Sequence, residues 1–431
     1  MYLSIANNVI TSRAKEDQRS LPAVLDFICS FCIVFSTFLY QYSSFVPGIT
    51  IGELLLIACS IIIFAYTKRQ YDRTLIASFL LIYLSCLFFS ALSFGSSTFD
   101  FVLESRGIVL SRWIRYLVYV IFISVLCFRN TVLRYAVKIY KVACLVVSFY
   151  TIVQFLVFSF SKIYLPVNIL PIPFSNGVTS DTAIAVSGVS GYFRGYGFFT
   201  EPSHLVKFLL PFVALTLIET KKGKVISLCL SGAAILLSTS LQGILIMAIT
   251  FVIAIMFSKK IHAFTKFLLA LSAFVICLII IGSGYLSGVM DRLQNLISGN
   301  LDGSTGFRVF KGFAVFDRLP TTNKIIGVGM GNIANFVKSN GITTPYDTLI
   351  MDADSINFVS GISCLLLEGG IISLVLYLPF IFFLFKRVGF AGRLILIQLL
   401  LIQFSTSGFF NIFTFYYIFM AYSVCKKEKT A

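Results

Sequence analysis

Residues 361–387 read GISCLLLEGGIISLVLYLPFIFFLFKR, and how this stretch is taken decides the fold. From Gly361 to Phe385 the only charged residue is Glu368, and the pair Lys386–Arg387 closes the run. A helix of about 20 apolar residues spans the hydrocarbon core of a bilayer, so this run is long enough to cross one. Basic residues collect at the cytoplasmic ends of membrane helices, so Lys386 and Arg387 give the run a direction. Glu368 is costly inside such a helix unless it is paired. It therefore predicts a partner elsewhere in a bundle.

The rest of the chain repeats the pattern. Of its 431 residues 58% are hydrophobic and 12% charged, where a soluble domain carries roughly 25% charged residues. Mean hydropathy is +0.93. Apolar runs lie near residues 24–45, 50–66, 74–94, 108–128, 142–160, 204–219, 225–240, 241–257, 264–286, 361–385, 391–405 and 408–424. The pair that meets at Leu241-Gln242-Gly243 also reads as one hairpin-like element. Basic clusters follow every second run, at Lys68/Arg69/Arg73, Arg129/Arg134/Lys138/Lys141, Lys221/Lys222/Lys224, Lys259/Lys260/Lys266, Lys386/Arg387/Arg393 and Lys426/Lys427/Lys429. Arg13, Lys15 and Arg19 precede the first run, which reads as an uncleaved span.

These observations predict an all-α fold: a polytopic integral membrane helical bundle of about twelve transmembrane helices. It is read as a single domain over residues 1–431, with both termini cytoplasmic. Two large outer loops, 161–203 and 287–360, are expected to carry short helices and the function. The formal charge of +16 is mostly explained by the cytoplasmic clusters, so nucleic-acid binding carries little weight. The ten cysteines lie in or beside apolar runs, including Cys29-x-x-Cys32, and read as small buried hydrophobes without a disulfide framework.

A minority of the basic residues breaks the charge pattern. Arg194, Arg292, Arg308, Lys311 and Arg318 fall in the two outer loops, which points to an anionic ligand there. The first loop ends in Gly191-Tyr192-Phe193-Arg194-Gly195-Tyr196-Gly197-Phe198-Phe199-Thr200-Glu201-Pro202-Ser203-His204. Its glycines permit a backbone to approach a ligand closely, and Pro202 suits the first turn of a helix capped by Thr200 or Glu201. A helix N-terminus with Arg194 beside it suits an anion, while a plain loop-to-span junction with an aromatic belt is the simpler alternative.

In the second loop, Phe307, Phe310 and Phe313/Ala314 follow helical spacing, leaving Arg308 and Lys311 on an adjacent face with Val315. That helix, capped by Ser304 or Thr305, is expected to lie along the interface and present its cations to lipid headgroups. Gly327-Val328-Gly329-Met330-Gly331-Asn332 lacks a Walker lysine and reads as a turn. Asp347, Asp352 and Asp354 either ligate a metal or simply solvate the loop. Near the fourth run, Arg112 and Arg115 share a helical face. They serve either as interfacial snorkelling residues beside Trp113 or as a cationic wall at the outer mouth. His262 reads as a surface residue, and His204 as an interfacial or reactive one.

The stretches R-G-Y-G-F-F-T-E-P-S-H, S-T-G-F-R, I-I-G-V-G-M-G-N and L-L-L-E-G-G-I-I-S-L, in this order, resemble the bacterial O-antigen polymerase (Wzy-type) family. That family belongs with O-antigen ligases in a wider group of polytopic glycosyltransferases. The resemblance implies a GT-C-like membrane bundle in the bacterial inner (cytoplasmic) membrane. It also implies metal-independent transfer of a growing glycan from undecaprenyl pyrophosphate to an incoming lipid-linked repeat unit, with no cofactor.

Arg194 and Arg308 match the family's pyrophosphate-binding arginines, with Lys311, Arg292, Arg318 and Arg112 as secondary candidates. Glu201, His204 and Asp354 are candidates for the general base, which stays unassigned. Implied partners are lipid-linked oligosaccharides, membrane lipids, and a chain-length regulator and flippase of the same pathway. The histidine of the ligases would fall on Val359-Ser360 and is missing, which favours polymerase over ligase. A transporter or lipid-linked sugar flippase is the rival reading from another class.

Overall fold

A computed structural model describes residues 23–46, 49–66, 73–95, 112–122, 135–167, 170, 172–174, 193–218, 223–257, 294, 304–344, 359–406, 409 and 411–430, with the backbone alone at 23, 66, 73–75, 79, 89–95, 304–308 and 425–430. The chain is all-helical in these residues. In chain order the helices are α1 (Ala23–Leu39), α2 (Ile51–Tyr66), α3 (Arg73–Gly95), α4 (112–122), α5 (Ala136–Ser161), α6 (Pro202–Ile218) and α7 (Lys224–Leu237). They continue as α8 (Leu241–Phe257), α9 (Ser304–Asp317), α10 (Thr321–Ile326), α11 (Ile333–Ser339), α12 (Gly361–Arg387), α13 (Phe390–Ser405) and α14 (Ile412–Thr430). Extended pairing among the described residues is limited to the isolated bridges Tyr42–Phe174 and Ser43–Thr50.

The apolar runs read from the sequence coincide with α1 to α8 and α12 to α14; the run at 264–286 lies outside the described residues. Two helices, α5 and α12, are long and apolar enough to cross a membrane, and eight shorter apolar helices accompany them. The doubtful pair at Leu241 resolves into two helices, α7 and α8. Between them residues 238–240 turn, with Thr239 in the left-handed region at φ 47°.

At the centre stands α6, where every residue from Leu205 to Thr216 is buried against α5, α7, α8, α13 and α14. Pro211 sits in its middle and has no N–H for the carbonyl of Lys207 four residues back. That carbonyl instead accepts from the hydroxyl of Tyr417 on α14, at 2.8 Å. The next carbonyl, Phe208, accepts from Tyr140 of α5 at 2.6 Å, and Leu210 accepts from Gln398 of α13 at 3.0 Å. Three neighbouring helices thus satisfy the backbone around the proline, as a buried polar group requires.

A second interruption lies in α12. Gly370 leaves the helical region (φ 67°, ψ −170°), and the carbonyls of Leu367 and Glu368 at this break accept from the N–H groups of Val328 (2.8 Å) and Gly329 (3.0 Å). Gly327 and Gly370, both at positive φ, face each other so closely that a Cβ on Gly370 would stand 2.6 Å from Gly327 N. Residues 327–329 are therefore stitched to α12 through backbone contacts.

Apolar side chains also point outward. Ile371, Val375, Leu378 and Phe382 form an exposed stripe along α12, and Leu81, Leu84 and Phe88 one along α3. On α4 the exposed stripe is Ile114, Leu117 and Ile121. Similar exposed residues occur on α1, α2, α5 and α8.

Candidate functional site

Charged side chains collect where residues 50–53 and 112–119 meet the 327–331 loop and Glu368 of α12. Glu368 finds the partner its position demanded: Arg112 Nη1 donates to Oε1 at 2.7 Å. The same oxygen accepts from the N–H of Gly331 at 2.9 Å, and the Tyr116 hydroxyl approaches Oε2 at 3.5 Å. The Gly-rich loop 327–331 resembles an anion cradle, and the anion beside it is this internal carboxylate.

One turn along α4, Arg115 Nε lies 2.8 Å from Oε1 of Glu53. Glu53 also closes a capping box at the start of α2. Its Oε2 accepts from the N–H and hydroxyl of Thr50 at 2.8 and 3.0 Å, while the Tyr119 hydroxyl donates to Oε1 at 2.8 Å. Both glutamates are 1% exposed, whereas the arginine side chains keep 22% and 28% of their surface. Removing one partner of such a buried pair strands the other charge, which costs about 3–5 kcal/mol.

Arg112, Arg115, Tyr116 and Tyr119 occupy the face of α4 opposite its exposed stripe of Ile114, Leu117 and Ile121. The two arginines accordingly point into the bundle and do not snorkel outward. The alternatives left open by the sequence part here, in favour of inward-facing cations.

The loop 193–201 is held by two glutamines. Gln154 of α5 donates to Gly197 O and accepts from Gly197 N, both at 2.9 Å. Gln41 donates to Phe198 O at 2.6 Å and accepts from Thr200 N at 2.8 Å. Gly197 (φ 57°) presses on Thr151, and Gly195 donates its N–H to Leu237 O at 3.0 Å. The close approach that Gly195 and Gly197 make is to α5 and α7. Tyr196 is 1% exposed, its hydroxyl has no partner among the described residues, and burial pushes its pKa up to about 12.

Arg194 is half-buried, with Nε donating to Thr239 Oγ1 at 3.0 Å and reaching Ser238 O at 3.4 Å. The α7–α8 turn thus orients its guanidinium. Helix α6 starts at Pro202, as expected, with Glu201 in the cap position and its carbonyl accepting from His204 and Leu205 N–H. Glu201 is exposed and its Oε2 accepts from Ser203 Oγ at 3.0 Å. The His204 ring stacks on Phe413 at 5.5 Å, and the Lys207 ammonium lies 5.4 Å from the same ring one turn later. Lys207, buried in the second turn of α6, was missed in the sequence because it lies inside an apolar run.

The second loop departs from its expected orientation. In α9 the buried face is Lys311, Gly312, Val315 and, just beyond its end, Leu319, while Phe310 is exposed. Lys311 is 1% exposed and is not presented to headgroups. The reason is Gly312, where a Cβ would collide with Ser363 of α12 and stand 3.1 Å from Val359 Cβ. A small residue, and not the phenylalanines, chooses which side of α9 seats on α12.

Arg308 lies in the first turns of α9, with its side chain outside the described residues, as are Arg292, Asp347, Asp352 and Asp354. Arg318 is exposed. At the place of the missing ligase histidine, Val359 is buried and Ser360 caps α12 by accepting from Ser363 N. The structure brings Arg112 together with Glu368 and the 327–331 loop, and Glu201 with His204 at the start of α6. Arg194 sits apart, on the α7–α8 turn. Comparison of the chain with family models, curated proteins and solved structures finds no match.

Proposed function

We propose that this chain is a polytopic inner-membrane glycosyltransferase that polymerises undecaprenyl-pyrophosphate-linked oligosaccharides into O-antigen or a related surface polysaccharide. The observation that carries the proposal is the meeting of three of the four family-like stretches. The G-V-G-M-G stretch bonds backbone-to-backbone with the L-L-E-G-G break of α12, and the helix begun by S-T-G-F-R packs on the same half of α12. The fourth, R-G-Y-G-F-F-T-E-P-S-H, opens α6 at the same end of the bundle. Exposed apolar stripes on most long helices support a lipid surround, since monomeric soluble proteins rarely expose apolar patches beyond a few hundred Å².

In the reaction, an acceptor sugar hydroxyl oxygen bonds to the anomeric carbon of the donor glycan. The bond from that carbon to the pyrophosphate oxygen breaks, and its electron pair leaves with the pyrophosphate. The hydroxyl proton passes to a base, for which Glu201 and His204 are the described candidates. Arg194, oriented by Thr239, and Arg308 are the residues proposed to stabilise the departing pyrophosphate charge.

The test is Arg194→Ala in a gene-disrupted host. Membrane insertion is expected to be normal, and the polysaccharide ladder to collapse to a single unit. A ladder of wild-type length in both the disruptant and the variant would overturn the proposal.

A further inference from the structure

Helices α1 and α2 approach each other closely at Gly52, where a Cβ would collide with the Ser36 carbonyl and stand 2.6 Å from Tyr40 N. Two turns further along α2 and two turns back along α1, the same antiparallel register sets Cys59 against Cys29 and Cys32. Cys59 Sγ donates to the Cys29 carbonyl at 3.9 Å, and its sulfur lies within hydrogen-bonding range of both other thiols. Cys29 and Cys59 are buried, Cys32 keeps part of its surface, and all three are free thiols. Filling a tight helix contact asks for small side chains, which alanine and serine supply as well as cysteine. Three thiols on one contact add a chemistry that packing does not use.

We infer that this cluster is an intramembrane thiol–disulfide site, at which Cys59 bonds to Cys32 and joins α1 to α2 covalently, with a lipid-soluble quinone as the oxidant. In the step the S–H bonds of Cys32 and Cys59 break and one S–S bond forms between the sulfurs. Two electrons and two protons pass to the quinone, which leaves as the quinol. A disulfide needs Cα atoms within about 4.4–6.8 Å, which two helices reach only near a close crossing such as the one at Gly52. Thiols already in contact react at a high effective concentration, so closure requires no rearrangement of the bundle.

Cys32 is the point of entry, since it alone of the three is not fully buried. Phe27, Ile28 and Phe31 are exposed beside it on α1, so a lipid-soluble oxidant has a route there and a hydrophilic one does not. The lipid surround is that of the membrane reading above. The thiol contact stands without it, and polymer formation has no part in it.

Full-length protein in phospholipid vesicles is treated under nitrogen with decylubiquinone, a fully substituted quinone that cannot add to a thiol, and in parallel with oxidised glutathione. Free thiols are then capped with N-ethylmaleimide, and the peptides are mapped by mass spectrometry before and after reduction. The α1 and α2 peptides are expected to appear joined through Cys59, two hydrogens lighter than the separate pair, and to part on reduction. Exposed Cys229, alone on α7, is the internal control and is expected to be capped throughout. Closure by the quinone is expected to be at least about tenfold faster than by oxidised glutathione. Cys59→Ala is expected to abolish the link, Cys32→Ala to slow it about tenfold, and Cys29→Ala to leave its rate within about twofold. Cys59 fully capped in a sample where the same quinone oxidises dithiothreitol would overturn the site, as would a bond confined to Cys29 and Cys32. Equal rates with the two oxidants, or an unchanged rate in Cys32→Ala, would overturn entry from the lipid side.

Discussion

Tyr417→Phe removes one oxygen atom, and its effect should depend on a proline on another helix. The Tyr417 hydroxyl donates at 2.8 Å to the Lys207 carbonyl, which Pro211 has deprived of its helical partner. Pro211 offers no N–H to take the place of the hydroxyl, so its loss at this buried carbonyl costs about 1–3 kcal/mol. In the proposed membrane setting, where interhelical hydrogen bonds average nearer 0.6 kcal/mol, about 1–1.5 kcal/mol is the expected cost. In a Pro211→Ala background the restored N–H at position 211 bonds Lys207 directly. There Tyr417→Phe should cost under about 0.5 kcal/mol, leaving a coupling of about 1 kcal/mol in a double-mutant cycle. The assay is unfolding in mixed micelles of rising sodium dodecyl sulfate, followed by circular dichroism. An equal cost in both backgrounds would refute the link between the proline and the tyrosine.

Two other predictions concern the loop end. Gly370→Ala forces a Cβ into the backbone of Ile325 and Gly327 at a left-handed φ, so beyond about 1–3 kcal/mol of strain it must separate the loop from α12; the yield of monodisperse protein in size-exclusion chromatography should fall sharply, and wild-type yield would contradict the stitched geometry. Tyr196 has a folded pKa near 12 against 10 when unfolded, so the stability it contributes is complete below pH 10 and is lost as pH rises through 12. Tyr196→Phe should flatten that alkaline loss and, by removing a hydroxyl with no partner among the described residues, leave neutral-pH stability equal or higher; an unchanged alkaline slope in thermal melts between pH 9 and about 12 would count against it.

Helix positions were legible because apolar runs bounded by basic clusters carry them directly. So was the demand of Glu368 for a partner, since an isolated carboxylate in such a run is too costly to leave alone. Glu53 hid at the edge of its run, where it looked like an ordinary first-turn acid, and only the fold brings Arg115 and Tyr119 to it. Gln41, Gln154 and Gln398 went unread for a related reason: their work is done on the backbone of distant segments, which no periodicity encodes. The orientation of α9 failed for a steric reason, because hydrophobicity favoured the phenylalanine face while Gly312 permits close contact on the other.

The stitching of residues 327–331 onto α12 also sets where this protein can be cut and recombined. Loops are usually treated as exchangeable parts, with the helices they join as the fixed frame. Here the natural unit of exchange runs from Ser304 through the break at Gly370, because the loop carries the donors and the helix the acceptors of the same bonds. A graft that moves the loop alone would leave the carbonyls of Leu367 and Glu368 dependent on a foreign backbone. One that moves both carries its own closure.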